Sequence, residues 1–212
     1  MPQDLMLLSV HRVRSRAELT LSTGEKLFMP RAMLKERPYR GGTPFDMQSF
    51  QRFLQERSYP FALEKAVSLL ALKARTEKEL RDSLRQAAYP AEVIVRVIDR
   101  MREAGYINDT EFAAQWAASR TARGMGGRRI SMELRRKGLE QDAVDEALSQ
   151  ITDDAVFDSA LKTAEKAARG KNLSSPSDRQ KITAALLRRG YDYGLARRAI
   201  SSLMSNGCDC DS

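Results

Sequence analysis

The sequence predicts a mainly α protein, with three tandem three-helix repeats forming an elongated helical array and a small N-terminal β-ribbon. Three observations lead there. Apolar and polar residues alternate over much of the first 30 residues, and apolar residues recur with helical period from Phe61 onward. A junction of basic, small and bulky apolar residues also returns twice at spacings of 50 and then 52 residues.

In the N-terminal segment, Leu5 to Leu8, Val10 and Val13 form one apolar-rich run. Ala17, Leu19 and Leu21 then alternate with Glu18 and Thr20, and Ser22-Thr23-Gly24 turns the chain into Lys26-Leu27-Phe28-Met29. Two or three short strands are expected, and a ribbon that small must dock on something else or offer an edge to a partner. Arg37-Pro38 and Gly41-Gly42 mark a turn-rich connection. Thr43 is expected to cap a helix with Pro44 at its first position, which carries Phe45, Phe50, Phe53 and Leu54 inward and is interrupted at Ser58-Tyr59-Pro60.

From Phe61 the stripe Leu63, Ala66, Val67, Leu70 and Ala71 marks helix A of the first repeat. Thr76-Glu77-Lys78-Glu79 fits a capping box that opens helix B, and Pro90 opens helix C, with Val93, Ile94, Val97, Ile98 and Met101 inward until Gly105. The unit then recurs. Leu84-Arg85-Gln86-Ala87-Ala88-Tyr89 aligns with Leu134-Arg135-Arg136-Lys137-Gly138-Leu139 and with Leu186-Leu187-Arg188-Arg189-Gly190-Tyr191. The expected organisation is a ribbon plus one helix over 1–60, repeats over 61–107, 108–151 and 152–204, and a disordered tail over 205–212. Tandem units of this kind present an extended surface to a partner.

An enzyme would need a convergent set of acid, base or nucleophile groups, and the chain has a single histidine, His11, in a strand-like segment beside Arg12 and Arg14. Carboxylates alternate with Lys and Arg along the helices, as on a solvated face. Gly124-Met125-Gly126-Gly127 lacks the Gly-Lys-Ser/Thr ending of a phosphate-binding loop, and no strand precedes it. Cys208 and Cys210 are the only cysteines and fall short of a structural zinc site. A non-enzyme without cofactor or metal is expected. No apolar run approaches the roughly 20 residues that cross a bilayer, and Met1 to Val10 has no basic n-region. A soluble, unexported protein follows, and the cysteine usage fits a reducing cytosol.

The formal charge is +8, with 36 Lys and Arg against 28 Asp and Glu, which favours an anionic partner. The excess is diffuse except between Arg120 and Lys137, where Arg120, Arg123, Arg128, Arg129, Arg135, Arg136 and Lys137 face the single acid Glu133. These are the leading contact candidates, with Arg188 and Arg189 (and Arg197 and Arg198) in the third repeat and Arg81 and Arg85 in the first. Arg128 to Arg136 are expected on a helix that follows a flexible glycine loop. Tyr106, Phe112 and Trp116 read as core residues rather than base-stacking platforms.

Gly105-Tyr106-Ile107-Asn108-Asp109-Thr110-Glu111-Phe112-Ala113 and Gly127-Arg128-Arg129-Ile130-Ser131-Met132-Glu133-Leu134-Arg135-Arg136-Lys137-Gly138-Leu139 resemble the junctions of the bacterial RecX regulatory proteins. The segment around Arg75-Thr76-Glu77-Lys78-Glu79-Leu80 is similar to the first repeat of that family, and the likeness spans roughly 61–204. The resemblance implies a cytoplasmic modulator that binds the RecA–DNA filament in its groove and inhibits the ATPase, strand-exchange and coprotease activities of RecA. A monomer with no membrane contact is expected, touching DNA within the filament. Ala88, where the other repeats have glycine, departs from the repeat pattern. The rival readings are a general nucleic-acid-binding helical module acting without RecA, which would need base-reading polar residues on one helix, an enzyme, and a passive scaffold.

Overall fold

The computed structural model describes residues 5–207, which fall into two compact units that divide between Asn108 and Asp109. The first unit opens with strands β1 (Met6–Val13), β2 (Arg16–Leu21) and β3 (Lys26–Pro30), and a two-residue strand β4 (Thr43–Pro44) adds to the far edge. All pair antiparallel in the order β3-β2-β1-β4, with Leu7 opposite Leu21 and Ala17 opposite Met29. Period-2 alternation puts Leu7, Ala17, Leu19, Leu21 and Met29 on one fully buried face. That face docks on Phe45 and Phe50, as a marginal ribbon must.

Two expectations about the next segment are corrected. Thr43 and Pro44 belong to the sheet and do not open a helix. Met6 and Leu7 pair with them, and an edge strand tolerates a proline that cannot donate. The cap is Asp46, whose side chain accepts from the Ser49 N–H and starts α1 (Met47–Leu72). This helix runs unbroken through Pro60, where an interruption was expected. A proline inside a helix forfeits one hydrogen bond and crowds the preceding turn at a cost of about 3 kcal/mol. Burial on both sides offsets that cost: Phe50 and Ser58 lie before the proline, Ala62 and Ala66 after it, and Phe61 packs against both the sheet core and the repeat core.

The rest of the chain follows the repeat plan. Helices α2 (Glu77–Gln86) and α3 (Ala91–Glu103) complete the first three-helix set with the C-terminal half of α1. Thr76 and Glu79 form the expected capping box. The second unit holds α4 (Asp109–Ala122), α5 (Gly127–Arg136) and α6 (Gln141–Ser149), then α7 (Asp153–Ala168), α8 (Pro176–Arg188) and α9 (Tyr193–Gly207). Each set closes its own core, around Ile130, Leu134 and Val144 in one and around Ile182, Leu186 and Tyr191 in the other. Helix α9 continues past Met204, where the third repeat was expected to end. Cys208 and Cys210 lie outside the described residues.

The recurring junction has a physical cause. In all three repeats the bulky residue donates its N–H to the leucine carbonyl five residues back: Tyr89 to Leu84, Leu139 to Leu134 and Tyr191 to Leu186. This is the Schellman ending of a helix, closed by apolar contact between those same two residues. The small residue must then adopt positive φ, which is +64° at Ala88, +92° at Gly138 and +93° at Gly190. Ala88 thus occupies the glycine position at a steric cost. Ala88→Gly is expected to raise the thermal stability of the protein by about 0.5 to 1 kcal/mol, measured by denaturant melting.

Candidate anion-binding surface

Helix α5 presents the basic run, and its position depends on two glycines. The Gly126 N–H donates to the Arg189 carbonyl at 2.9 Å, and the Arg128 N–H donates to the Gly190 carbonyl at 3.2 Å. A Cβ on Gly126 would sit 2.3 Å from the Gly190 carbonyl carbon, and one on Gly190 would sit 2.5 Å from the Arg129 nitrogen. The loop expected to be flexible is therefore clamped backbone to backbone against the α8–α9 junction. Glycine serves close approach here, so the clamp holds α5 in place.

The eleven candidate cations divide into three groups. Arg120, Lys137 and Arg81 are committed inside the fold. The Arg120 Nε lies 2.8 Å from a Glu133 oxygen, in an ion pair of poor hydrogen-bond alignment, and its guanidinium lies 4.1 Å from the Trp116 ring centre. Lys137 approaches the same ring at 4.3 Å, and Phe112 stacks on Trp116 at 5.6 Å. Arg81 pairs at 2.6 Å with Glu77, which Arg102 of α3 also grips. Partial burial raises the Glu77 carboxyl, but the hydrogen bonds from Arg81 and Arg102 outweigh it and leave its pKa below the usual 4.5.

Arg85 and Arg129 are exposed but paired, to Asp82 at 3.1 Å and to Glu133 at 3.6 Å. The third group is exposed with no carboxylate in ion-pair range among the described residues: Arg123, Arg128, Arg135, Arg136 and Arg188. Arg189 is also exposed, and it points a guanidinium nitrogen at the Arg123 and Gly124 carbonyls, 3.4 and 3.3 Å away.

That last contact joins residues 66 positions apart and helps form a pocket of about 400 Å³ between the end of α4, α7 and the end of α8. Arg123, Lys162, Lys166 and Arg189 line it, with Ser159, Thr163 and small apolar residues, and among the described residues no carboxylate does. Sequence reading did not reach Lys162 and Lys166. They stand one turn apart on α7, but Asp158 and Glu165 nearby cancel them in any charge count along the chain. His11 is exposed on β1, and no group of three or more metal-ligating side chains occurs among the described residues. No described helix is long and apolar enough to cross a membrane.

Fold and surface together define a tandem three-helix repeat protein whose second unit gathers exposed cations. Sequence models of the RecX first, second and third three-helix domains match residues 62–101, 108–148 and 153–200. The regulatory protein RecX of Mycolicibacterium smegmatis is 32% identical over 181 residues, covering 82% of this chain and 96% of that protein. RecX of Bacillus pumilus is 32% identical over 139 residues, or 65% of this chain and 53% of that protein. The crystal structure of RecX from Lactobacillus salivarius matches with a TM-score of 0.65 at 25% identity, covering 69% of this chain and 96% of that one. A second RecX crystal structure shares the fold over 91% of this chain, with a TM-score of 0.62 at 20% identity. The chain belongs to the RecX family of regulatory proteins.

Proposed function

We propose that this protein acts in the cytoplasm, without catalysis of its own, by binding the RecA–DNA filament and lowering the recombinase, ATPase and coprotease activities of RecA in DNA repair and the SOS response. The observation that carries this reading is the match of all three RecX three-helix domains in order along one chain. Exposed arginines on α5 and at the end of α8 with no carboxylate partner among the described residues support it, since their guanidinium groups can pair with filament carboxylates or DNA phosphates.

The test is the single-stranded-DNA-dependent ATPase of the cognate RecA, titrated with wild type and with the quadruple variant Arg128→Ala, Arg129→Ala, Arg135→Ala, Arg136→Ala. A control measures binding to DNA without RecA. Wild type is expected to inhibit well below the concentration that coats naked DNA, and the variant to need about tenfold more protein. Tight DNA binding with an unchanged ATPase would leave a nucleic-acid module acting without RecA.

A further inference from the structure

The pocket between α4, α7 and α8 holds an electrostatic imbalance that the fold itself does not resolve. Arg123, Lys162, Lys166 and Arg189 line a pocket of about 400 Å³, a volume within the range of small-ligand sites, and no carboxylate among the described residues lines it. Like charges gathered in a concavity repel one another and focus a positive field outward. Arg189 is steadied by two backbone carbonyls, whereas Arg123, Lys162 and Lys166 have no ion-pair partner among the described residues. Packing does not require the lysines there either, since both are exposed while Ala160 and Ala164 of the same helix are buried.

The walls are built around this opening. Gly124 takes a φ of +77°, and a Cβ there would come within 2.6 Å of the Thr163 hydroxyl and 3.4 Å of an Arg189 guanidinium nitrogen, so only a glycine lets the loop after α4 close this tightly on the pocket wall. Thr163 is itself only 8% exposed. Ser159, one turn earlier, donates to the Thr121 carbonyl and shares a 2.8 Å hydrogen bond with the Tyr191 hydroxyl, which fixes α7 against α4 and the α8–α9 junction. The cations therefore stand on locked elements.

We infer that this pocket is a binding site for adjacent phosphate groups. Arg189 and Arg123 would pair with one group, and Lys162 and Lys166, one helical turn apart, with the next. The chemistry fits a phosphodiester strand and also a free polyphosphate. It differs from the α5 surface in being concave and in drawing on both repeats of the second unit. The inference does not rest on the RecA reading.

The experiment uses the full-length protein, wild type and Lys162→Ala/Lys166→Ala, with Lys162→Arg/Lys166→Arg as the charge-preserving pair and Lys78→Ala as a remote control. Binding to a labelled single-stranded oligonucleotide is measured by anisotropy across a salt series, and binding to tripolyphosphate by calorimetry. The alanine pair is expected to bind the oligonucleotide about tenfold more weakly, with the slope of log K against log salt reduced by about 1.5, while the arginine pair retains binding. Loss confined to tripolyphosphate would keep the site and make a free polyphosphate its ligand. Wild-type binding of both probes by the alanine pair, with an unchanged melting temperature, would overturn the inference.

RecA ATPase inhibition measured on the same samples keeps the two readings apart. Lost inhibition with both phosphate probes still bound would overturn the phosphate site and leave the regulator. Lost phosphate binding in a protein whose wild type never inhibits RecA would do the reverse.

Discussion

Gly190→Ala is expected to lower the stability of the second unit by at least about 3 kcal/mol, a loss of ten degrees or more in melting temperature for a unit of roughly 100 residues. Two costs combine. At φ +93° a side chain pays for a backbone conformation that glycine adopts freely, about 1 to 2 kcal/mol. The added methyl would also lie 2.5 Å from the Arg129 nitrogen and 2.6 Å from its Cβ, and backbone cannot move aside as the end of a flexible side chain can. Gly170→Ala is the matched control. Its φ is +71° with nothing within 4 Å of the added atom, so it pays the conformational cost alone. Thermal melts followed by circular dichroism separate the two. A Gly190→Ala melt no lower than that of Gly170→Ala would show that α5 does not depend on the clamp.

Glu133→Ala is expected to cost about 2 kcal/mol, and the reason is what it leaves behind. The carboxylate accepts from the Trp116 indole N–H at 3.2 Å, neutralises Arg120 at 2.8 Å and reaches Arg129 at 3.6 Å, with its side chain 22% exposed. Removing it strands the Arg120 guanidinium, 21% exposed and held over the Trp116 ring, with no opposite charge. Arg120→Met alone should cost less, because methionine fills the space without needing a partner. In a double-mutant cycle by denaturant melting, the pair should show a coupling of about 1 kcal/mol, and additive effects would refute the assignment of Arg120 to the interior. The outcome also bears on the contact candidates, since a cation used this way is not free for a filament.

Much of the helical plan was legible because its signals are local. Thr76 and Glu79 announce a helix start within four residues, and the small-then-bulky pair at Ala88-Tyr89, Gly138-Leu139 and Gly190-Tyr191 is the trace of a closing hydrogen bond within six. Where long-range burial decided the outcome, the local reading failed. Pro60 looks like a helix breaker until the sheet core and the repeat core are seen to hold α1 from both sides, and Thr43 looks like a cap until Leu7 claims it for the sheet. The same limit governs the candidate site. Arg123 and Arg189 were nominated separately, but only the fold brings them to one pocket, and Lys162 and Lys166 were hidden by acids that lie beside them in sequence and do not line it. The run from Arg120 to Lys137 looked uniformly available, yet its two ends turn inward to the Trp116 ring.

That ring has a use of its own. Trp116 is the chain's only tryptophan, and two cations and the Phe112 ring surround it within one repeat. Its emission on selective excitation is therefore an intrinsic optical gauge of the second repeat alone, blind to the sheet and to the first repeat. Opening of α4 from α5 would release the indole from its charged neighbours and shift the spectrum, so local unfolding there can be timed in an unlabelled protein.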